Sequence, residues 1–563
     1  MEQTPSTPIS ASAQPMATSM DQPCLQTTVP VLIVGGGPVG LCAALLLARS
    51  GVRSLLVERH ACTSVFPRAR GIDIRSMELF RTWGLEAEVK QAGFAQQGIS
   101  YVLTGETLAG PVHKRVEFGE LDPAFLASIS PAIPWLCAQD ELEPILLAHM
   151  SRLPEAEVRF HTELCSFEQD ATGITAHLLD RASGTIQQVR ADYLLGADGA
   201  HSQVRARLAI PMTGPGVLGT MLNVLFHADL PAVLGNRRSV LYVIHNASVP
   251  WLQFGIVDGK QRWLFLAPYH AEQGETVADY TPARCAKMVR QAVGIPDFPV
   301  EIHHVAGWEM AALSAERYQQ GRVFLAGDAA HRMTPAGAFG MNTGIQDVHN
   351  LCWKLALVLQ GTAAESLLPS YEAERLPVGR RNVEQSFQFV LQFQREDFGA
   401  DLNTLGYTLG TSYESNAVIP DGTEHPAGTD PLRDYRPSAR PGSRAPHVWL
   451  ERNGQRLSTL DLFDRDFTLL TGPAAHPWLQ AGNLVASQFR IPLRSYHVGE
   501  NGGVRDTHQD WATTYGITAF GAVLVRPDGH VAWRATSSTQ EPVVELSRAL
   551  SAVLGWRRSR VGA

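Results

Sequence analysis

An apolar run that breaks into glycine and resumes as a helix constrains this chain more than any other feature. Val31-Leu-Ile-Val34 suits a buried strand, Gly35, Gly37 and Gly40 follow at the spacing G-x-G-x-x-G, and residues 41–49 (LCAALLLAR) read as an Ala/Leu-rich helix. The first glycine permits a tight turn, the second lets backbone approach a pyrophosphate, and the third lets helix pack on strand. The helix N-terminus adds unpaired N–H groups and the positive end of a dipole. Ser54-Leu-Leu-Val57 reads as the next strand and ends in Glu58, 18 residues after Gly40. An acid there can accept a hydrogen bond from an adenosine ribose hydroxyl. The stretch predicts a Rossmann-like αβ unit holding a dinucleotide, NAD or FAD.

Bulk properties narrow the class. With 563 residues the chain needs more than one hydrophobic core. Its net charge of −8, without a basic block or basic residues interleaved with aromatics, points away from nucleic acid. No apolar run reaches the roughly 18 residues of a membrane-spanning helix. The cysteines (Cys24, Cys42, Cys62, Cys137, Cys165, Cys285 and Cys352) are dispersed, with no C-x-x-C pair and no metal-ligand spacing. They predict free thiols in a cytoplasmic protein, with neither a disulfide framework nor a metal centre. Residues 1–28, rich in Ser, Thr, Pro and Gln and free of Lys and Arg, read as a disordered tail and not as a secretory or transit segment.

After Glu58 a polar loop carries Arg68 and Arg70 into a helix over 72–83, which holds Arg75 and stops at Gly84. These arginines lie where phosphates would pass, and Arg75 is the stronger candidate. Gln139 stands just before a helix over 141–151 that Asp140 can cap. Short β-like stretches from 158 to 189 suit an antiparallel meander, and 191–205 is a strand that turns at Asp198-Gly199. Residues 212–270, rich in β formers and aromatics, predict an antiparallel substrate layer with a helix over 281–293 on its face. A parallel-type strand returns at 322–326 and ends in Gly327-Asp328. The loop from Pro335 to Asn342 then opens a helix over 343–360, and a second follows over 366–397. An acid at the end of an apolar strand, next to glycine, can hold sugar hydroxyls while backbone passes close to a ligand. The chain therefore divides into a nucleotide-binding domain in two segments, 29–211 and 300–397, around a substrate domain at 212–299. A Gly/Pro/Asp/Thr-rich linker at 398–440 precedes a separate αβ domain at 441–563.

Together these motifs resemble the single-component FAD-dependent aromatic hydroxylases of the p-hydroxybenzoate and phenol hydroxylase type. The resemblance rests on Gly35 to Gly40 with Glu58, Pro67-Arg68-Ala69, Arg75 with Glu78, Gln139, and Asp198-Gly199 with Ser202 and Arg205. It continues through Gly327-Asp328-Ala-Ala-His331, Pro335, Gly337, Gly340-Met341-Asn342, Asp347, Asn350 and Glu374-Arg375. Ala338 departs from the pattern, since relatives often carry glycine there. From Pro441 to Trp533 the chain resembles the thioredoxin-like appendix of phenol and polyketide hydroxylases. No cysteine follows Cys352, so a thiol redox role for this domain is excluded and packing or homo-oligomer contacts are expected.

The resemblance implies a monooxygenase in which NADH or NADPH reduces FAD, O₂ forms a C4a-hydroperoxyflavin, and one oxygen atom passes to an activated aromatic ring. It places Glu58 at the adenosine ribose, Arg68, Arg75 and Gln139 along the pyrophosphate and ribityl chain, and Asp198-Gly199 at FAD and the nicotinamide donor. Asp328 would hold the ribityl hydroxyls, Gly340, Met341 and Asn342 would border the isoalloxazine, and Pro335 would border the oxygen-reacting face. Asn223, Phe226, Trp251 and Gln253, with Phe254 and Phe265, are substrate candidates on the β layer, of which period-2 alternation admits about half. His245 is the candidate base. The aromatic-rich layer favours a phenolic or polycyclic, polyketide-like substrate. Baeyer–Villiger oxygen insertion and a non-catalytic FAD-binding regulator are the alternatives. Halogenation is disfavoured because Trp308 lacks the neighbours of the halogenase signature.

Overall fold

The computed structural model describes residues 27–95, 101–117, 122–394, 404–424, 434–499 and 503–556. Nearly all of the segment read as a tail, and parts of the linker, lie outside the described residues.

Five parallel strands form the first layer, in the spatial order Val323–Leu325, Ile186–Gly196, Thr27–Val34, Ser54–Val57 and Ala156–Arg159. Numbered along the chain this order is 5-4-1-2-3, so it reverses between Thr27–Val34 and Ile186–Gly196. Open parallel sheets bind ligands at the carboxyl ends of strands at such a reversal. The strands are apolar on both faces because helices cover both: Leu32, Ile33, Leu55, Leu194 and Phe324 are fully buried. Pro38–Arg49 packs on Phe339–Leu359 and on Gln139–Met150. The stretches separated in sequence at 185–189 and 191–196 are one strand, Ile186–Gly196, which pairs antiparallel with Ile174–Asp180 and parallel with Thr27–Val34.

The second layer has eight strands. Its centre is antiparallel: Glu301–Ala315, Met212–His227, Arg262–Tyr269, Leu252–Ile256 and Leu241–Ile244. Tyr101–Gly105 joins it parallel to Leu241–Ile244, and Lys114–Glu117 closes that edge. The substrate layer is thus wider than residues 212–299, because it recruits one hairpin from before that range and, from after it, the long strand Glu301–Ala315 with the short edge strand His331–Arg332. One face packs on Pro282–Val293, whose ends carry a Thr281 cap and a left-handed Gly294.

The C-terminal domain opens with a parallel βαβ unit, Phe467–Thr471, His476–Phe489 and Leu493–His497. A hairpin, Ala522–Val525 with Val531–Ala535, and a last helix, Pro542–Val553, complete it. It docks through buried charge. Arg526 donates to Glu374 at 2.6 and 2.9 Å and to Asp528 at 3.0 Å, and Lys354 donates to Glu374 at 2.8 Å, all of them buried. Part of the predicted linker is packed as well: Leu405 and Leu409 are buried with Ile74 and Ile129, Tyr407 with Phe339 and Phe389, and Tyr413 with Val378.

Burial opposes ionisation of Glu374, but Arg526 and Lys354 outweigh it and hold its carboxyl far below the ordinary range. Removing one partner of such a network strands the others, so Glu374→Ala is expected to destabilise by about 3–5 kcal/mol, measured as a shift of the urea midpoint. A carboxyl depressed in the fold stabilises fully above its unfolded value of about 4.3, and stability drains away as pH falls below it. The wild type should therefore lose stability over this acid range more steeply than Glu374→Gln.

Candidate active site

A cavity of about 2590 Å³ runs from the turn at Gly37 past Asp198 and Asp328, along Pro335 to Asn342, and out beneath the second sheet. Single-ligand sites hold roughly 300–1,000 Å³, so this space takes an elongated cofactor and a second molecule together.

At its closed end the glycine turn is fixed by backbone proximity. Gly35 sits at φ +111°, and a Cβ there would lie 2.3 Å from the Ala197 carbonyl oxygen. A Cβ on Gly40 would lie 2.0 Å from the Gly35 carbonyl oxygen. Gly37 caps Pro38–Arg49, and proline suits the first helical position because its missing N–H has no partner there. Glu58 lies beneath this turn and does not line the cavity. It accepts the Gly36 N–H at 2.6 Å and the His60 N–H at 2.9 Å. Asp198 accepts the Ser202 hydroxyl at 2.5 Å and the Val204 N–H at 3.1 Å, while its backbone and Gly199 (φ +82°) border the cavity. Gln139 also borders it, donating to Glu143 at 2.6 Å.

The opposite wall is set by Asp347. Its buried carboxylate accepts the Gly327 N–H at 3.1 Å and Arg375 Nε at 2.8 Å, and pairs with His331 Nε2 at 2.6 Å. Burial opposes its ionisation, but His331 and Arg375 hold its carboxyl below the ordinary range. With the turn fixed in this way, Asp328 projects into the cavity, and no described group hydrogen-bonds its carboxylate. Desolvation by the surrounding walls raises its carboxyl above the ordinary range. Pro335, Gly340 and Met341 line the same stretch. Asn342 is buried: its amide donates to Gly71 and Ala338 carbonyls at 3.0 and 2.8 Å and accepts the Asp73 N–H at 3.1 Å.

The arginines divide. Arg68 and Arg70 line the cavity, and neither forms a salt bridge among the described residues. Arg70 donates to the Ile256 carbonyl, and its guanidinium occupies the space that a side chain on Gly255 would fill. Arg75 does not face this cavity, which corrects the expectation for it. It is buried against Glu78 at 2.9 Å and the Asp528 carbonyl at 2.9 Å, where it joins the nucleotide-binding and C-terminal domains.

On the substrate side strand parity decides. Asn223, Leu266, Gln253, Val243 and Thr104 are successive cross-strand neighbours, and all of them line the cavity. Phe226 has the other parity. It packs on Phe254 and Phe265 with ring centroids 5.8 and 6.1 Å away, so all three are core and not substrate contacts. Trp251 and His245 do line the cavity. Trp308, missed in the sequence, also lines it and donates its indole N–H to Asn223 at 2.9 Å. Trp449 of the C-terminal domain reaches its rim.

Comparison with known proteins agrees with this geometry. Residues 28–386 match an FAD binding domain, and residues 438–556 match the C-terminal domain of aromatic-ring hydroxylases. The chain belongs to the FAD-dependent aromatic-ring hydroxylases. Tetracenomycin A2 monooxygenase-dioxygenase of Streptomyces glaucescens is 41% identical, covering 93% of this chain and 97% of the relative. The flavin-dependent monooxygenase PieE, solved with FAD and substrate, superposes with a TM-score of 0.87 at 35% identity, covering 94% of this chain and 99% of that one. Aklavinone-11 hydroxylase, solved with FAD and aklavinone, gives 0.85 at 37% identity, covering 94% and 99%. FAD fits the residues present, which offer a glycine turn intolerant of side chains at the strand reversal and an unpartnered acid farther along one continuous cavity.

Ala338 caps Phe339–Leu359 at φ +53°. Left-handed backbone costs a side-chain-bearing residue about 1–2 kcal/mol, against a smaller entropic cost for glycine, so Ala338→Gly should stabilise by roughly 0.5–1 kcal/mol in denaturant unfolding. Asp328→Ala should weaken FAD binding by about 10- to 100-fold, the worth of a hydrogen bond to a charged group, read from flavin absorbance after dialysis. Flavin retention equal to wild type would remove Asp328 from the cofactor site.

Proposed function

We propose that this protein is a monooxygenase that uses NADH or NADPH and O₂ to hydroxylate a polycyclic, polyketide-like aromatic. The observation that carries this reading is the continuity of one cavity from the glycine turn to the row Asn223–Leu266–Gln253–Val243. That row alternates the apolar side chains of Leu266 and Val243 with the amides of Asn223 and Gln253. Such a floor suits a fused-ring plane with oxygen substituents that the amides can orient. The relatives named for tetracenomycin A2 and aklavinone support this substrate class.

FAD, when bound, supplies the redox and oxygen chemistry, and the protein supplies binding, orientation and dryness. Gly35, Gly37 and Gly40 would carry its pyrophosphate end, with Glu58 steadying Gly36 from below. Arg68, Gln139, Asp198 and Gly199 would line the pyrophosphate and ribityl path, and Asp328 would accept from ribityl hydroxyls. Pro335, Gly340, Met341 and Asn342 would border the ring system. His245 opens into the cavity with no acidic partner among the described residues. In this reading it takes a proton from a phenolic substrate at an imidazole nitrogen. Leu264, Leu266 and Met221 exclude water from the floor. The six described cysteines are free, which suits a reducing cytoplasm, and no helix among the described residues is long and apolar enough to cross a membrane.

The test is a panel of tetracyclic phenols and quinones with NADH and NADPH. A matching substrate should accelerate NAD(P)H oxidation, and under ¹⁸O₂ the product should gain one labelled oxygen on an unbroken ring. Label inside an enlarged ring would overturn hydroxylation, and flavin-loaded protein that no substrate stimulates would overturn the enzyme reading. Asn223→Leu, which also strands the Trp308 indole, should raise KM by about tenfold at unchanged flavin content.

A further inference from the structure

Away from the cavity, one end of the second sheet gathers three metal-ligating side chains that lie far apart in sequence. His227 ends the strand Met212–His227 and pairs directly with Glu301, which begins Glu301–Ala315. Next along the same ladder Phe226 pairs with Ile302 and Leu225 with His304, so His303 is the extra residue of a β-bulge. A bulge re-aims the side chain it inserts. Here it sets the His303 ring beside His227, with centroids 4.1 Å apart, and its Nε2 3.8 Å from Glu301 Oε1. One donor atom of each residue lies within 4.8 Å of the other two. Glu301 and His303 are exposed and His227 is half-buried, so the side chains can rotate inward to the roughly 3.3 Å donor separation that tetrahedral zinc bond lengths require.

We propose that His227, Glu301 and His303 form a surface site for a transition-metal dication, zinc by preference, with water in the fourth position. Two imidazole nitrogens and one carboxylate oxygen match zinc and its neighbours and are poor ligands for magnesium or calcium, which take oxygen sets. The site is separate from the flavin chemistry and acts as a clip between two adjacent strands. The residue after His303, His304, packs its ring 5.2 Å from Phe66, which borders the cavity just before Pro67-Arg68. A clip at this point braces the strand that supports the flavin-side loop.

The experiment uses untagged, FAD-loaded full-length protein, stripped with chelator and titrated with Zn²⁺ by calorimetry, with Co²⁺ absorption as a second readout. The expected result is about one ion per chain, with affinity lowered at least about tenfold in His227→Ala and in His303→Ala, at unchanged flavin content. Zn²⁺ should also raise the melting temperature of the wild type and not that of the double variant. His476 and His497 provide the control, since their rings lie 4.8 Å apart but belong to no such three-residue cluster among the described residues. Should alanine at position 303 lower flavin content, His303→Gln replaces it. Absence of stoichiometric uptake, uptake retained by the double variant, or uptake lost instead in His476→Ala would each overturn the assignment.

Discussion

The carboxylate of Asp347 ties the turn from Gly327 to His331 to the two long helices. It takes donors from the Gly327 turn, from His331 beyond it, and from Arg375 on the next helix. A buried acid with three donors is satisfied, and each donor is then fixed by the cost of leaving the charge uncompensated. Asp328 stands between two of these anchored residues, so its backbone has no freedom and its own carboxylate is left for the cavity. An acid that could turn back to cap its own loop, as Asp198 does, would offer a ligand less. The two strand-end acids therefore differ in role although both read alike as acid beside glycine.

The same constraint explains an appended domain with no cysteine of its own. Arg375 also donates to the Tyr413 hydroxyl at 3.0 Å, and the Tyr413 ring stacks on His530 at 4.2 Å. Arg526, on the same hairpin as His530, donates both to Glu374, the neighbour of Arg375, and to Asp528. The C-terminal hairpin thus reaches the nucleotide-binding turn through two adjacent residues of one helix. Trp449 carries the same domain to the cavity rim.

Much of this is legible in the sequence. The glycine turn, the strand-end acids and the helix expected at 343–360 are local patterns, and local patterns fix backbone direction; the helix begins one turn earlier, at Phe339, and takes Gly340 to Asn342 into its first turn. What failed to read was pairing across long separations. Arg75 carries the same side chain as Arg68 and lies at an equally plausible spacing, yet a partner 453 residues away turns it from the cavity. Phe226 looked like a pocket aromatic until register gave its parity, and register is a property of the neighbouring strands and not of the strand itself. The hairpin Tyr101–Glu117 and the long strand from Glu301 joined the substrate layer for the same reason. His227, Glu301 and His303 escaped notice because metal spacing is sought along the chain, whereas these meet across a ladder and through a bulge. Trp308 left no signal beyond its position on a strand.

The arginines show how sequence and tertiary context combine into function. A guanidinium inside protein normally finds a carboxylate, and Arg75, Arg375, Arg444 and Arg526 all do so. Arg68 and Arg70 do not, although both line the cavity. Burial lowers the Arg70 pKa to about 10, which still leaves it cationic near neutrality. Among the described residues it donates to the Ile256 carbonyl and fills the space that Gly255 leaves. Unneutralised cations on a low-dielectric wall create a positive field, and that field favours whatever anion enters. With Asp328 opposing it at one point, the cavity is patterned for a ligand that carries negative charge along part of its length and hydroxyls along another. A pyrophosphate joined to a polyol meets that description, and an ionised phenol arriving from the sheet side meets the same field at its other end.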